Sequence, residues 1–204
     1  GVQTCALPIS LAWHDVGRIL WIPFILAAVA ALLIQIGTNL YNDVGDYERG
    51  ADRGERLGPP RAVRSGWLQP GEVRRAVALV FLLALAVGAW LVWYGGWPIL
   101  VLGLASIVAG IAYTGGPRPI AYTATGELFV FFFFGISAVL GTYYLQTSAW
   151  TWGGGIVASM VGALASAVIV VNNYRDLDHD RLAGKRTRSE EHTSELQSQF
   201  RISY

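Results

Sequence analysis

The sequence predicts an all-α, multi-pass transmembrane helical bundle. Three observations carry this. Of 204 residues, 53% are hydrophobic and only 14% are charged, well below the charge content of a soluble domain. Five apolar runs carry no charge and are each long enough, or nearly so, to cross a bilayer as a helix. The runs are continuous rather than alternating, so they read as helices and not as barrel strands.

Taken in order, the runs are Ile19–Leu40, Ala76–Tyr94, Trp97–Tyr113, Leu128–Leu145 and Gly154–Val171. The third is short for a span. The connections alternate in character. The first, from Asn42 to Arg75, carries Arg49, Arg53, Arg56, Arg61, Arg64, Arg74 and Arg75. The second is Gly95-Gly96. The third, TGGPRPIAYTATGE, carries Arg118; the fourth, QTSAWTWGG, is uncharged; and the segment after Val171 carries Arg175, Arg181, Lys185 and Arg186. Basic connections therefore share one side, which the positive-inside rule makes cytoplasmic. Trp90, Trp93, Tyr94, Trp97, Tyr143, Tyr144, Trp150 and Trp152 gather at the other side as an interfacial aromatic belt. No secretory signal pattern is present, and no linker divides the spans, so they read as one domain.

The two ends differ from the rest. Residues 1–9, GVQTCALPI, are the translation of GGAGTTCAGACGTGTGCTCTTCCGATC. The reverse complement of that DNA, preceded by one A, reads RSEEHTSEL and runs on toward Gln-Ser, matching residues 188–198. One DNA stretch read on both strands thus accounts for both ends, and it resembles a sequencing-library adapter. The domain reading is therefore 1–9 adapter-derived, 10–187 membrane domain, and 188–204 adapter-derived or non-native tail, with residues 199–204 of unassigned origin. Residues 1–9 and 188–198 are expected to pack against nothing specific. Cys5, the only cysteine, falls in this excluded part, as do His192, Glu190, Glu191 and Glu195, so no disulfide, zinc or thiol chemistry remains.

Two aspartate-rich segments end the first and fifth runs: NLYNDVGDYERGAD (Asn39 to Asp52) and NNYRDLDHDRLAGK (Asn172 to Lys185). Carboxylates beside hydrocarbon are costly and are poor packing residues. Oxygen-rich clusters bind hard cations such as Mg²⁺, with phosphate completing the shell. In the first, Asn39, Asn42, Asp43 and Asp46 fall near one helix face at spacings of three and four. In the second, Asp176 and Asp180 lie one above the other at i and i+4, while Asp178 points elsewhere. A capped polar helix end, or a solvated helical extension, is the competing structural reading of each. Arg61, Arg64 and Lys185 add cations near the carboxylates, with arginine suited to phosphate by its planar fork; the bland alternative is topology and anionic lipid. Phe129, Phe131, Phe132, Phe133 and Phe134 form an aromatic cluster that can shield a carbocation, although lipid-facing packing suits most of the five.

These segments resemble the UbiA superfamily of intramembrane prenyltransferases, and among them the 1,4-dihydroxy-2-naphthoate branch of menaquinone biosynthesis. The resemblance rests on NDVGD followed by GAD, on RLGPPRAVRSG, on YTGGPRPIAYTATGELFVFFFFG and on NNYRDLDHDRLAGKRT. Many relatives carry the third aspartate of the first motif where this chain has Gly50, with Asp52 two residues on. The resemblance implies a bundle of eight or nine spans with a cavity opening to lipid, so one span would precede Ser10 and several would follow Thr187. It implies Mg²⁺ held by Asp43, Asp46, Asp52, Asp176 and Asp180, with Asp43, Asp46, Asp176 and Asp180 as the catalytic set. It implies substrate contacts from Asn39, Asn42, Arg61, Tyr113, Arg118, Tyr122, Asn172, Asn173 and Lys185. The partners implied are a polyprenyl diphosphate, 1,4-dihydroxy-2-naphthoate and the bilayer, with no nucleic acid. The place implied is the cell membrane, with the site facing the cytoplasm. Two other readings stay open: a UbiA-type enzyme with another acceptor (4-hydroxybenzoate, a tetrapyrrole or a lipid), and a non-catalytic ion-binding membrane protein. The second requires acids near the bilayer midplane, whereas these lie at the ends of the spans.

Overall fold

In the computed structural model the chain is a bundle of antiparallel helices, described over residues 2–50, 61–115, 119–123 and 125–175. Among the described residues there is no strand. Helix α1 covers Val2–Val16 and α2 covers Trp21–Glu48. Helices α3, α4 and α6 cover Pro70–Gly95, Trp97–Thr114 and Trp152–Arg175; α5 covers Gly126–Thr147. Among the described residues, helices α2 to α6 are the five that are long and apolar enough to span a membrane, and they match the five apolar runs of the sequence.

Helix ends follow local chemistry. α3 begins with Gln69 as cap, Pro70 in the first turn and Glu72 closing a capping box, its Oε2 accepting from Gln69 N at 2.8 Å. α3 and α4 meet across Gly96, whose φ of 73° only glycine adopts cheaply; Pro98 then opens α4. α2 runs eight residues past the apolar stretch. At 1.5 Å per residue its 28 residues are about 42 Å long, against a hydrocarbon core of about 30 Å. Counting from Trp21, Asn42 to Glu48 therefore stand beyond the hydrocarbon, where carboxylates meet water and headgroups.

Three contacts fix which ends go together. Gln146, near the end of α5, donates from Nε2 to the Leu20 carbonyl at 3.1 Å and accepts the Leu20 amide at 2.8 Å, holding the start of α2. Tyr122, just before α5, reaches Asp46 near the end of α2. Ser166 on α6 donates to the Glu127 carbonyl at the start of α5 at 2.9 Å. The C-terminal ends of α2, α4 and α6 and the N-terminal end of α5 thus share one end of the bundle.

α5 is not a plain helix: Phe131–Ser137 is a π-helical segment, a feature the sequence reading does not contain. It sits where α5 meets α6 most closely, since a Cβ on Gly135 would fall 2.3 Å from the Gly162 Cα. Apolar packing is divided among Val44, Val63, Val73, Val77 and Phe81 near the carboxylate end, Ala30, Leu91, Ile99 and Leu145 near the other, and Val139, Ala158 and Val161 between α5 and α6.

One expectation is corrected. Residues 1–9 do not all stand apart: α1 begins at Val2 and lies against α5 and α6, with Pro8 and Ile9 buried. The sequence Leu-Pro-Ile is apolar, and an apolar helical turn joined to Ser10–Val16 buries itself whatever its origin.

Candidate functional site at the end of the bundle

The site begins with the two aspartates of NDVGD. Three residues apart on the last turns of α2, they face the same way and are both buried, Asp43 at 8% and Asp46 at 5% exposure. The segment after residue 60 folds back over them. Val63, itself in the core, donates its amide to Asp43 Oδ2 at 3.4 Å, and Arg61 Nη1 pairs with Asp46 Oδ2 at 2.7 Å. From the opposite side the 3₁₀ turn Ile120–Tyr122 brings the Tyr122 hydroxyl to Asp46 Oδ1 at 2.6 Å. Thr123 Oγ1, donating to the Ile120 carbonyl at 2.8 Å, closes that turn. Arg49 stands 6.0 Å from the centre of the Tyr122 ring, a cation–π distance.

The electrostatics of the pair are uneven. Asp46 has both oxygens engaged, one of them by a cation. Asp43 Oδ1 is buried with no hydrogen-bond partner among the described residues, an arrangement that costs free energy. Burial, followed by the bond to Asp46, raises the Tyr122 phenol well above its ordinary pKa of 10.0, so it is held as a neutral donor.

Other predicted residues take varied places. Asn42 accepts a hydrogen bond from the Thr114 hydroxyl at the last residue of α4. Asn39, one turn earlier, is exposed and accepts from Gln35 Nε2 on its own helix at 3.3 Å. Tyr113 is half-buried, its hydroxyl beside Gly126 at the start of α5. Asn172 and Asn173, half-buried on the last turn of α6, lie at the same end of the bundle as Asp43 and Asp46. Asp52, Arg118, Asp176, Asp178, Asp180 and Lys185 fall outside the described residues. Among the described residues no three His, Cys, Asp or Glu side chains gather as a metal cluster.

The phenylalanines separate by position. Phe129, Phe132 and Phe133, with Leu102, Ala105, Ile136 and Ser137, line an apolar cavity of about 310 Å³ between α4 and α5. Phe131 instead packs on Gly162 of α6, and Phe134 is exposed, as Phe132 also is.

Three residues of this end escaped the sequence reading. Thr114 orients Asn42; Arg49 flanks Tyr122; and Glu127, the one acid of the apolar α5, is buried at its first turn. Only Glu127 had a usable signal, a lone carboxylate opening a span.

Comparison with known proteins gives the family. Residues 4–195 match the UbiA prenyltransferase family. Three relatives carry the name 1,4-dihydroxy-2-naphthoate octaprenyltransferase. That of Escherichia coli (strain K12) is 37% identical over 184 residues, covering 87% of this chain and 59% of its own length. That of Haemophilus influenzae is 36% identical over 169 residues, covering 80% and 55%. That of Mycobacterium tuberculosis is 38% identical over 167 residues, covering 82% and 57%. The chain thus spans somewhat over half the length of these relatives.

Proposed function

Because the chain belongs to the UbiA prenyltransferase family, we propose that its protein transfers a polyprenyl group from a polyprenyl diphosphate to 1,4-dihydroxy-2-naphthoate. The acceptor's carboxylate leaves as CO₂ and the product is demethylmenaquinone. The observation that carries this is the buried, unpartnered Asp43 Oδ1 beside Asp46, Arg61 and Tyr122, at the membrane edge of a bundle with an aromatic cavity.

The donor set fits a divalent cation, Mg²⁺ in this proposal. It is hard and oxygen-based, and Asp43 presents an oxygen that no donor among the described residues satisfies. Asp43 and Asp46 would hold it, with Asp52, Asp176 and Asp180 completing the set as the family resemblance implies. Bound there, it neutralises charge on the diphosphate and makes it a better leaving group. The chain's own residues do the rest. Arg61 places a guanidinium at the carboxylates, where a diphosphate oxygen is recognised by a planar fork. Tyr122, held neutral, remains a donor rather than a repelling phenolate. Phe129, Phe132 and Phe133 exclude water and offer ring faces to the allylic cation formed when the C–O bond breaks with its electron pair leaving on the diphosphate. The naphthoate ring carbon then attacks that cation.

Arg49, Arg61, Arg64, Arg74, Arg75 and Arg175 all lie at the carboxylate end, while Trp93, Trp97, Trp150 and Trp152 lie exposed at the other. That asymmetry supports the cell membrane with the site facing the cytoplasm. Residues 1–9 and 188–198 stand outside this reading as peptides of adapter origin; recovery of both as coding sequence on resequencing the source DNA rejects that origin.

The deciding experiment is prenyl transfer in membranes, from a polyprenyl diphosphate to 1,4-dihydroxy-2-naphthoate, with and without Mg²⁺. The expected product is the decarboxylated, prenylated naphthoquinol, and chelation abolishes it. Activity toward 4-hydroxybenzoate only rejects the acceptor, and chelator-insensitive activity rejects the cation.

A further inference from the structure

Tryptophan is unevenly placed in this bundle. Seven of the eight lie at or beside the end away from the carboxylates. Trp13 goes with them, because its helix is held there by Asp15, which accepts from the Tyr143 hydroxyl at 2.6 Å. The exception is Trp67, 66% exposed, with Leu68 beside it at 43%. Both stand in the connection between α2 and α3, and neither belongs to the carboxylate site.

The backbone that carries them is an ordered turn. Gly66 N donates to the Val63 carbonyl at 3.1 Å and Trp67 N to the Ala62 carbonyl at 3.0 Å, with Gly66 at φ 72°. This pair of bonds is a Schellman turn, which needs a left-handed residue where the glycine stands. The turn has two sides. Inward, Val63 is buried in the cluster of Val44, Val73 and Val77, while its amide and the Arg61 guanidinium reach Asp43 and Asp46. Outward, Trp67 and Leu68 stand clear of the protein.

Depth decides what they meet. Val73, in the same cluster as Val63, lies 22 residues before Gly95, the last of α3, or about 33 Å along the axis. The hydrocarbon core is about 30 Å thick, and the polar layers add about 5–7 Å on each side. The turn therefore lies at headgroup depth, the layer that an indole with one polar edge favours. Arg64, Arg74 and Arg75 flank it and are exposed, Arg74 being paired with Glu48 and Glu72 closing the cap of α3. Guanidinium groups at this depth match the lipid phosphates.

We propose that Trp67 and Leu68 are a membrane anchor: they dock in the phospholipid headgroup layer, and the bilayer thereby holds the 61–68 turn over the end of α2. The inference needs only the spans and their depth, and it stands whether or not the protein is a transferase.

The test is fluorescence quenching on the full chain in phosphatidylcholine nanodiscs. In a Cys5→Ser background, which removes the only other thiol, Trp67→Cys and Leu68→Cys are each labelled with bimane. A lipid carrying a nitroxide near its headgroup is expected to quench both labels at least about twofold more than one carrying it at the chain end. Aqueous iodide is expected to quench them at least about threefold less than in the denatured chain. Iodide quenching equal to that of the denatured chain places the pair in water and overturns the proposal. Protection from iodide and from both lipids means that protein covers the pair, and overturns it too. Hydrogen exchange tests the clamp. Trp67→Ser with Leu68→Ser is expected to speed exchange of the 61–68 amides at least about fivefold in the same nanodiscs, and an unchanged rate refutes that role. If the labelled variants do not fold, the wild-type chain is irradiated with a phospholipid bearing a diazirine near its headgroup. Crosslinks on Trp67 or Leu68 are expected, and crosslinks confined to the spans overturn the anchor.

Discussion

Gly135→Ala is the substitution the bundle should tolerate least. A Cβ there falls 2.3 Å from Gly162 Cα, 2.6 Å from Gly162 N and 2.8 Å from the Ala158 carbonyl, whereas ordinary contact begins at 3.4 Å. All three obstacles are backbone atoms of α6, so no side chain can rotate away, and α5 and α6 must part by about 1 Å at their crossing. Overpacking of this kind costs about 1–3 kcal/mol and sometimes more. Alanine recovers about 0.5–1 kcal/mol of helix propensity, leaving a net loss of about 2 kcal/mol near the upper end of that range. The comparison is internal. Gly155 on the same α6, and Gly103 on α4, have nothing within 4 Å of an added Cβ, so alanine there is neutral or slightly stabilising. The assay is denaturant unfolding of the three variants in mild detergent, followed by circular dichroism. If Gly135→Ala lies within about 0.5 kcal/mol of Gly155→Ala, the close crossing is not where the bundle is tightest and the reasoning fails.

Other outcomes follow from the same contacts. Gln146→Ala leaves the Leu20 amide and carbonyl without their side-chain partner and should cost about 1–3 kcal/mol, with Gln146→Glu intermediate because it keeps the acceptor; the same unfolding assay measures both. The Tyr143 hydroxyl, and then His14, hold the Asp15 carboxyl below its ordinary value of 3.8. A carboxyl depressed in the fold adds stability that is present above 3.8 and is lost as pH falls through the folded value. Tyr143→Phe should therefore flatten the acid limb of the unfolding midpoint measured against pH. In the second motif of the full-length protein, Asp176→Ala should lower prenyl transfer by orders of magnitude and Asp178→Ala much less, since the helical reading of the sequence puts Asp178, two positions from both Asp176 and Asp180, off the face those two share. Equal impairment of the two variants rejects the assignment.

The aspartate pair was legible in the sequence because its signal is compositional. Carboxylates at the ends of hydrocarbon-length runs are costly wherever the chain folds, so NDVGD announced itself before any contact was known. Arg61 was singled out for its charge and meets Asp46, and Tyr122 was carried by the family resemblance and meets the same carboxylate. Thr114 and Arg49 gave no such signal: a threonine ending a span and one arginine among seven in a connection look like many others. The phenylalanine cluster was legible as a cluster, but not as three residues lining a cavity, one packed on Gly162 and one apart from both. Phe131 to Phe134 lie inside the π-helical segment Phe131–Ser137, where side chains depart from the α-helical phase by which a sequence is read.

What the sequence determined by itself is what local chemistry sets. Five helices follow from run length and from the need of backbone groups in hydrocarbon to bond within their own segment; their starts follow from Pro70, Pro98 and Gly96, and the location of the acids from the length of α2. Tertiary structure decided what depends on residues far apart in the chain. Asp43 and Asp46 are three positions apart and chemically identical, and in sequence they are interchangeable. They differ in the fold because the 61–66 segment and the 3₁₀ turn at Ile120–Tyr122 arrive from different connections and both spend their strong donors on Asp46. The oxygen left over, Asp43 Oδ1, is buried by the same convergence, and no property of α2 alone could have marked it.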